Sequence, residues 1–436
     1  MHNLAIALSQ LGHQVTGSDD EIFEPSLSRL QQHGLLPVAM GWQPSAINTG
    51  LDYVILGMHA RADNPEYLRA KELELEILSY PDLIFHLSEN KQRIVVAGSH
   101  GKTTITSMIM HVLEAAGKSF DYLVGSIVPG FPVSVRLSDQ SPIIVIEGDE
   151  YLTSPVDRVP KFLKYKHHIG VVSGVAWDHV NVFTTYDQYV RQFDHFADAT
   201  PKGGTLIYNE EDTVASVICK KERTDVTTEE YGTHPYAIKE GKFFLKTDAG
   251  ELELLVFGKH NMQNIGAAKR VCMHLGITEA VFYSGIATYK GAQNRLQVLK
   301  QNATSILIKD FAHAPSKVRA TVESVKELYM KSKVIAVLEL HTFSSLNKAF
   351  LHNYAGALDR ADVAIVYFNP AVVAHKALPA LSIQDVKDAF NRSSVHVFTD
   401  SAEVMRLVEQ EKTAQSVLLF MSSGNFDGID LNSINL

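Results

Sequence analysis

With 436 residues the chain is too long for a single hydrophobic core, so two or three domains are expected. Hydrophobic residues at 45% and charged residues at 20% exclude a disordered chain, and a formal net charge of −9 offers no general basic face to a nucleic acid or a membrane surface. Two widely separated cysteines, Cys219 and Cys272, exclude a disulfide framework or a C-x-x-C metal site and fit a reducing cytoplasm.

In chain order, Leu4, Ala5, Leu8 and Leu11 mark one stripe of a helix. The same start, MHNLAIALSQLGH, has no basic n-region and its apolar run is cut by Ser9, Gln10 and Gly12, so it does not read as a signal peptide. No stretch approaches the length of a membrane span, and a soluble, cytoplasmic chain is expected. QVTGSDD is expected as a short strand ending in acids, and LDYVILGM at 51–58 as a buried strand. This alternation predicts an α/β unit with a parallel sheet over 1–90. A Rossmann-like unit opens on a strand and a Gly-rich turn, with an acid about 20 residues on that meets a ribose hydroxyl. Asp19 and Asp20 either supply that acid or merely cap the next turn, and the opening strand and turn would lie upstream of Met1.

A second unit is expected over 91–292. Within IVVAGSHGKTTI at 94–105, an apolar strand passes into Gly98-Ser99-His100-Gly101-Lys102-Thr103, and Ile105, Met108, Ile109 and Val112 then recur at helical spacing. Backbone N–H groups of such a loop and the helix N-terminus can surround a phosphate, while Lys102 reaches the outer phosphates and the Thr103 hydroxyl reaches Mg²⁺. The full pattern asks for glycine at 96, where Val96 stands, so the match is a shorter G-x-x-G-K-T. A Gly-rich turn with an exposed lysine is the alternative. Strands follow in SPIIVIEGDE (141–150), HHIGVVSGVAWDH (167–179) and GGTLIYN (203–209), then a hairpin-like tract at 236–258 and a helix from Asn261. The tract 151–168 reads as irregular. A third unit, 293–436, alternates again through SILIKDFAH, KVIAVLEL, ADVAIVYF, VHVF and SVLLFMSSG.

Ligands of open α/β sheets bind beyond the carboxyl ends of the strands. Glu147, Asp149 and Glu150 end a buried strand there, and carboxylates can hold Mg²⁺ against ATP phosphates. Asp178-His179 is expected to end the next strand, with His179 either a ligand or the satisfied partner of Asp178. Asn261 and Asn264 either cap a helix or contact a purine. Arg295 follows a glycine at a domain junction, as a clamp on a transferring phosphate or a solvated charge. Asp310 ends a strand and binds a ribose or caps the next turn.

In this order the pieces resemble the ATP-dependent Mur ligases of peptidoglycan synthesis over nearly the whole chain. The family's G-T-H-G-K-T-T loop stands as Gly98-Ser99-His100-Gly101-Lys102-Thr103-Thr104, its E-A-D-E as Glu147-Gly148-Asp149-Glu150, and its D-H as Asp178-His179. Its H-N-x-x-N stands as His260 to Asn264, its G-x-x-R-R as Gly291 to Arg295, and its D-[DY]-[FY]-A-H-x-P as Asp310 to Pro315. Thr16-Gly17-Ser18-Asp19 and Ala60 to Glu66 resemble segments of the members that take UDP-N-acetylmuramate. One such member adds L-alanine and another attaches the recycled tripeptide L-alanyl-γ-D-glutamyl-meso-diaminopimelate. Residues 19–26, Asp149-Glu150-Tyr151, Asp157-Arg158 and Lys161-Phe162 look more like the latter. Departures stand at Ser173-Gly174, Gln293, Asn294 and Gln297.

The resemblance implies three domains: a Rossmann-like N-terminal domain without its first strand, a central P-loop ATPase-like domain, and a Rossmann-like C-terminal domain. It further implies ATP and Mg²⁺ as cofactors, with UDP-N-acetylmuramate and a peptide or amino-acid amine as partners. Lys102, Glu147, His179 and Arg295 would be catalytic, with Thr103, Glu147 and His179 on the metal. Gly98 to Thr104, Asn261, Asn264, Arg295 and Asp310 would hold ATP. Ser18, Asp19, His59, Asp149, Glu150, His313 and His341 would meet the other substrates. A P-loop ATPase or a non-catalytic nucleotide-binding protein remains the alternative class.

Overall fold

The computed structural model describes residues 1–292 and 295–436; Gln293 and Asn294 of the G-x-x-R-R segment lie outside the described residues. The first strands are β1 (Val54–Leu56) and β2 (Ile77–Ser79), paired in parallel with Val54 opposite Ile77. The intervening helix Pro65–Glu72 starts where Asn64 accepts hydrogen bonds from the N–H groups of Glu66 and Tyr67. The segment 14–20 forms no strand, contrary to expectation. Its one strongly apolar residue, Val15, is followed by Gly17, and none of the described strands pairs with it. The helix His2–Gln10 forms as expected, but it buries Leu4, Ile6 and Ala7, while Ala5, Leu8 and Leu11 are half-buried.

Val- and Ile-rich runs build a second, seven-stranded sheet. Its members are β3 (Gln92–Ala97), β4 (Asp121–Leu123), β5 (Val135–Arg136), β6 (Ile143–Glu147), β7 (Ile169–Val172), β8 (Thr205–Asn209) and β9 (Thr227–Tyr231), in the order β5-β4-β6-β3-β7-β8-β9. The strands from β4 to β8 pair in parallel, and Val96 stands opposite both Glu147 and Val171, so the three central strands end side by side. The helix Lys102–Ala115 follows β3. β7 stops at Val172, so Asp178 and His179 do not end a strand as expected but lie further on, in a turn.

A small antiparallel sheet of β10 (Tyr236–Lys239), β11 (Lys242–Thr247) and β12 (Gly250–Glu253) fills the hairpin-like tract. The next helix begins at Lys259 rather than Asn261, with Gly258 at its N-cap in a left-handed conformation (φ 94°). The third large sheet holds β13 (Gln297–Gln301), β14 (Ile306–Asp310), β15 (Lys333–Leu340), β16 (Val363–Phe368), β17 (Val395–Phe398) and β18 (Ser416–Met421), in the order β13-β14-β18-β15-β16-β17. Only β13 pairs antiparallel; it was not expected from the sequence. Alternate residues serve opposite faces. Ile308, Ala336, Leu338 and Leu419 pack with Val318, Val322 and Val325 of the helix Pro315–Leu328. Leu307, Ile335, Val337 and Leu418 pack with Val404 and Val408.

By packing, the described chain divides into two compact units: Met1–Gly98, Leu113–Ser173 and Arg191–Glu230 form one, and Ser99–Val112, Gly174–Val190 and Tyr231–Leu436 the other. Among the described residues no helix is long and apolar enough to cross a membrane. Cys219 and Cys272 are free and buried, and burial pushes both thiols well up.

A buried ion pair braces the first unit. Lys91 Nζ lies 2.7 Å from Asp121 Oδ2, and Asp121 also accepts from the N–H (3.1 Å) and hydroxyl (2.9 Å) of Ser138. Asp121 is inaccessible to solvent. Its truncation leaves a buried ammonium with only the Ser138 and Ser141 carbonyls and no counter-charge, so Asp121→Ala should lower unfolding free energy by about 3–5 kcal/mol in denaturant titrations. A loss below about 1 kcal/mol would mean that water replaces the carboxylate.

Candidate functional site

In the first unit an acidic edge forms where β6 ends. Glu147 Oε2 accepts the N–H of Gly125 at 2.7 Å. A Cβ on Gly148 would stand 2.7 Å from Val95 Cγ1 and 3.1 Å from the Val96 carbonyl, which accounts for glycine in place of the motif's alanine. Asp149 accepts the N–H of Tyr151 at 3.0 Å and pairs with Lys161 Nζ at 2.7 Å, while Glu150 is fully buried. Gly98 has φ 136°, and a Cβ there would lie 2.0 Å from Ser173 Oγ, so the turn out of β3 admits only glycine.

The segments 16–19 and 60–66 meet in this unit. Ser18 Oγ donates to Glu66 Oε2 at 2.5 Å, and Glu66 Oε1 accepts the Gln43 N–H at 2.6 Å. Asp19 and His59 are exposed.

The second unit holds the rest of the phosphate-type loop. Ser99 is tied to the neighbouring segment: its N–H (2.9 Å) and hydroxyl (3.2 Å) both go to the Gly174 carbonyl, and Ala176 N–H returns to the hydroxyl at 2.7 Å. Gly101, at φ 80°, passes so close to Asn264 that a Cβ would stand 2.6 Å from its Oδ1. His100 and Lys102 are half-buried, and Thr103 and Thr104 are buried. Asn261 donates to the Phe257 carbonyl at 2.8 Å and sits inside the helix, so it is not the cap. Asn264 lies one helical turn on, its amide 3.4 Å from Asn261 Oδ1.

Asp178 is the electrostatic centre of this unit. Oδ1 accepts the His179 N–H at 2.8 Å and Oδ2 lies 3.6 Å from Lys317 Nζ. Burial alone would raise its carboxyl, but Lys317, His179, His313 and the His179 N–H outweigh it and hold the pKa at about 2. His179 itself is left-handed (φ 54°), a conformation that the bond to Asp178 helps to hold. Ser344 joins the cluster, its hydroxyl 3.5 Å from Asp178 Oδ1 and accepting the Val180 N–H at 3.4 Å.

Nearby in sequence to Lys317, His313 bonds through Nδ1 to the Phe311 carbonyl at 2.8 Å. Burial, then Lys317 and Arg295, lower its imidazole to about 4 against the opposing pull of Asp178, so it is neutral at pH 7. Asp310 accepts from Leu296 N–H (3.2 Å) and Phe311 N–H (2.8 Å) at Oδ1 and from Thr321 Oγ1 (2.6 Å) at Oδ2, which fixes the carboxylate in place. Arg295 lies over the Phe311 ring at 4.9 Å. His341 follows β15 and lies 3.7 Å from buried Glu339.

Sequence reading missed Lys317 and Thr321, whereas Glu339 and Ser344 fall in ELHTFSSLN (339–347), a strand end that the sequence offers, through His341, Thr342, Ser344 and Asn347, as a candidate for peptide contact. Lys317 left a signal, a cation in the first turn of a helix, where the macrodipole disfavours it. Thr321 left none.

Three family models match in succession: the Mur ligase family catalytic domain over residues 1–92, the Mur ligase middle domain over 96–272, and the Mur ligase glutamate ligase domain over 294–424. The chain belongs to the Mur ligase family and has its three-domain α/β fold. It is accordingly an ATP-dependent ligase that forms a carbon–nitrogen bond. A UDP-N-acetylmuramate–L-alanyl-γ-D-glutamyl-meso-2,6-diaminoheptandioate ligase of Haemophilus influenzae is 27% identical, over 98% of this chain and 95% of its own length. A UDP-N-acetylmuramate–L-alanine ligase of an Arthrobacter species is 32% identical, over 81% of this chain and 76% of its own. Among solved structures, a murein peptide ligase from Psychrobacter arcticus is similar in fold, with a TM-score of 0.66 at 20% identity over 98% of this chain and 94% of that one.

The lowered His313 pKa has a consequence for acid stability. Its folded value, about 4, lies below the unfolded 6.5, so the contribution is fully present above pH 6.5 and is lost as pH falls towards 4. The unaltered protein should lose about 3 kcal/mol of unfolding free energy over that window that His313→Gln does not lose. Parallel curves for the two proteins in urea titrations would refute the assignment.

Proposed function

We propose that the chain joins UDP-N-acetylmuramate to the tripeptide L-alanyl-γ-D-glutamyl-meso-diaminopimelate in the cytoplasm, at the expense of ATP. The observation that carries this reading is the relative named for this reaction, matched over 98% of the chain and 95% of its own length. The segments 19–26 and 149–151 support the same choice. Several relatives named as L-alanine ligases, one at 32% identity and one at 30%, favour L-alanine as the amine instead.

In this reading residues 1–90 bind the UDP-sugar, 91–292 bind ATP and 293–436 bind the amine. The lactyl carboxylate attacks the γ-phosphate, and the resulting acyl phosphate is opened by the amine. Two anions must approach, and Lys102 and Arg295 screen their charge as it shifts in transfer. Glycine at 101 lets the loop pass against Asn264, which any side chain there would push away. Thr103 and Glu147 offer the oxygen donors that Mg²⁺ takes, with His179 beside them in this reading, and the ion when bound would neutralise phosphate charge. Asn261 and Asn264 contact the adenine. Asp310 contributes by fixing the turn at Leu296 and Phe311, and with it Arg295.

Phosphate release measured with UDP-N-acetylmuramate should give kcat/KM for the tripeptide at least about tenfold above L-alanine, one to two kcal/mol of preference. The reverse order replaces this reading with the alanine-adding one. Lys102→Ala should lower kcat by about 10²-fold or more with an unchanged melting temperature.

A further inference from the structure

We propose that Glu339 and His341 form a proton-accepting pair for the incoming amine, with His341 as the base and Glu339 as its positioning residue. The proposal rests on the ligase reading and assigns a role within it.

β15 is central in its sheet, between β18 and β16, and an acid near its end is costly unless it is answered. Glu339 is 3% exposed. Its Oε2 is committed, accepting from the Ser422 hydroxyl and from the Phe426 N–H at 2.9 Å. Its Oε1 has no hydrogen-bond partner among the described residues and faces His341 Nδ1 at 3.7 Å. The loop after β18 closes over this pair: Gly424 N–H donates to Ser422 Oγ at 2.6 Å. A Cβ on Gly424 would stand 2.8 Å from both Glu339 Oε2 and His341 Nδ1. Beside it the Ser423 hydroxyl is shielded from solvent without a partner among the described residues. His341, by contrast, keeps 36% of its side chain exposed. A buried carboxylate with one open oxygen, beside a half-open imidazole at the carboxyl end of a parallel strand, has the order of a base and its orienting group. Contacts of this kind are long in the unliganded state and tighten around substrate.

The chemistry needs such a base. An α-amino group, with a pKa of about 7.7–8.0, is mostly ammonium at pH 7 and cannot attack. A proton on Nδ1 directed at Oε1 leaves Nε2 with its lone pair. His341 Nε2 takes one proton from the ammonium, and the neutral nitrogen bonds to the acyl carbon. The carbon–oxygen bond to phosphorus breaks, its electron pair leaving with inorganic phosphate, which carries off the second nitrogen proton.

The test separates the two half-reactions. Hydroxylamine is already neutral at pH 7 and traps the acyl phosphate as a hydroxamate without a base. Glu339→Gln and His341→Asn should keep hydroxamate formation within about twofold, which also certifies their fold, and lose about 10²-fold in amide formation with the peptide at pH 7. That loss should shrink as pH rises above the amine's own pKa. Equal losses in both assays, unchanged amide formation, or a pH-independent rise in KM for the amine alone would overturn the proposal; the last would make Glu339 a contact for the ammonium. Absence of hydroxamate from the unaltered enzyme would overturn the ligase reading and the proposal with it, so the two failures are told apart.

Discussion

A carboxylate removed from water must be met by cations and N–H groups, and in the second unit this demand recurs at each place where chemistry is proposed. Asp178 is answered by Lys317 and the His179 N–H, Asp310 by Leu296, Phe311 and Thr321, and Glu339 by Ser422 and Phe426. Leaving one such anion unanswered costs several kcal/mol, comparable to the net stability of a domain. Each therefore dictates the course of a loop that apolar packing alone would leave variable. The sheets supply a floor, and the buried acids decide how the turns above it run.

That division explains what could be read in advance. The three α/β sheets were legible because apolar runs such as IVVA, IIVIE and VAIVYF carry their own periodicity and turn residues. The phosphate-type loop was legible because glycines, lysine and threonine lie next to one another in sequence. What escaped depends on partners distant along the chain. No local pattern says that Ser99 will bond Gly174, or that Lys317 will face Asp178. The missing strand at 14–20 is a case of the same kind, since a strand exists only if another accepts its hydrogen bonds.

Local reading also misplaced two candidate site residues by small steps with large effects. Gly258 takes the N-cap because it alone tolerates the left-handed conformation there, which moves Asn261 inside the helix and turns its amide to Phe257. The end of β7 at Val172 leaves His179 on a turn held by a neighbouring carboxylate instead of on a strand. In both cases the backbone setting differs from the one that the local sequence pattern suggests.

The glycine at 148 carries an implication for which residues the chain tolerates at position 95. Its lone hydrogen lets the acidic turn settle against Val95 Cγ1 and the Val96 carbonyl, a spacing that a methyl group would fill. Positions 95 and 148 are thus coupled through volume: alanine at 148 requires a smaller or differently rotated residue at 95, and placed there without altering Val95 it weakens the protein.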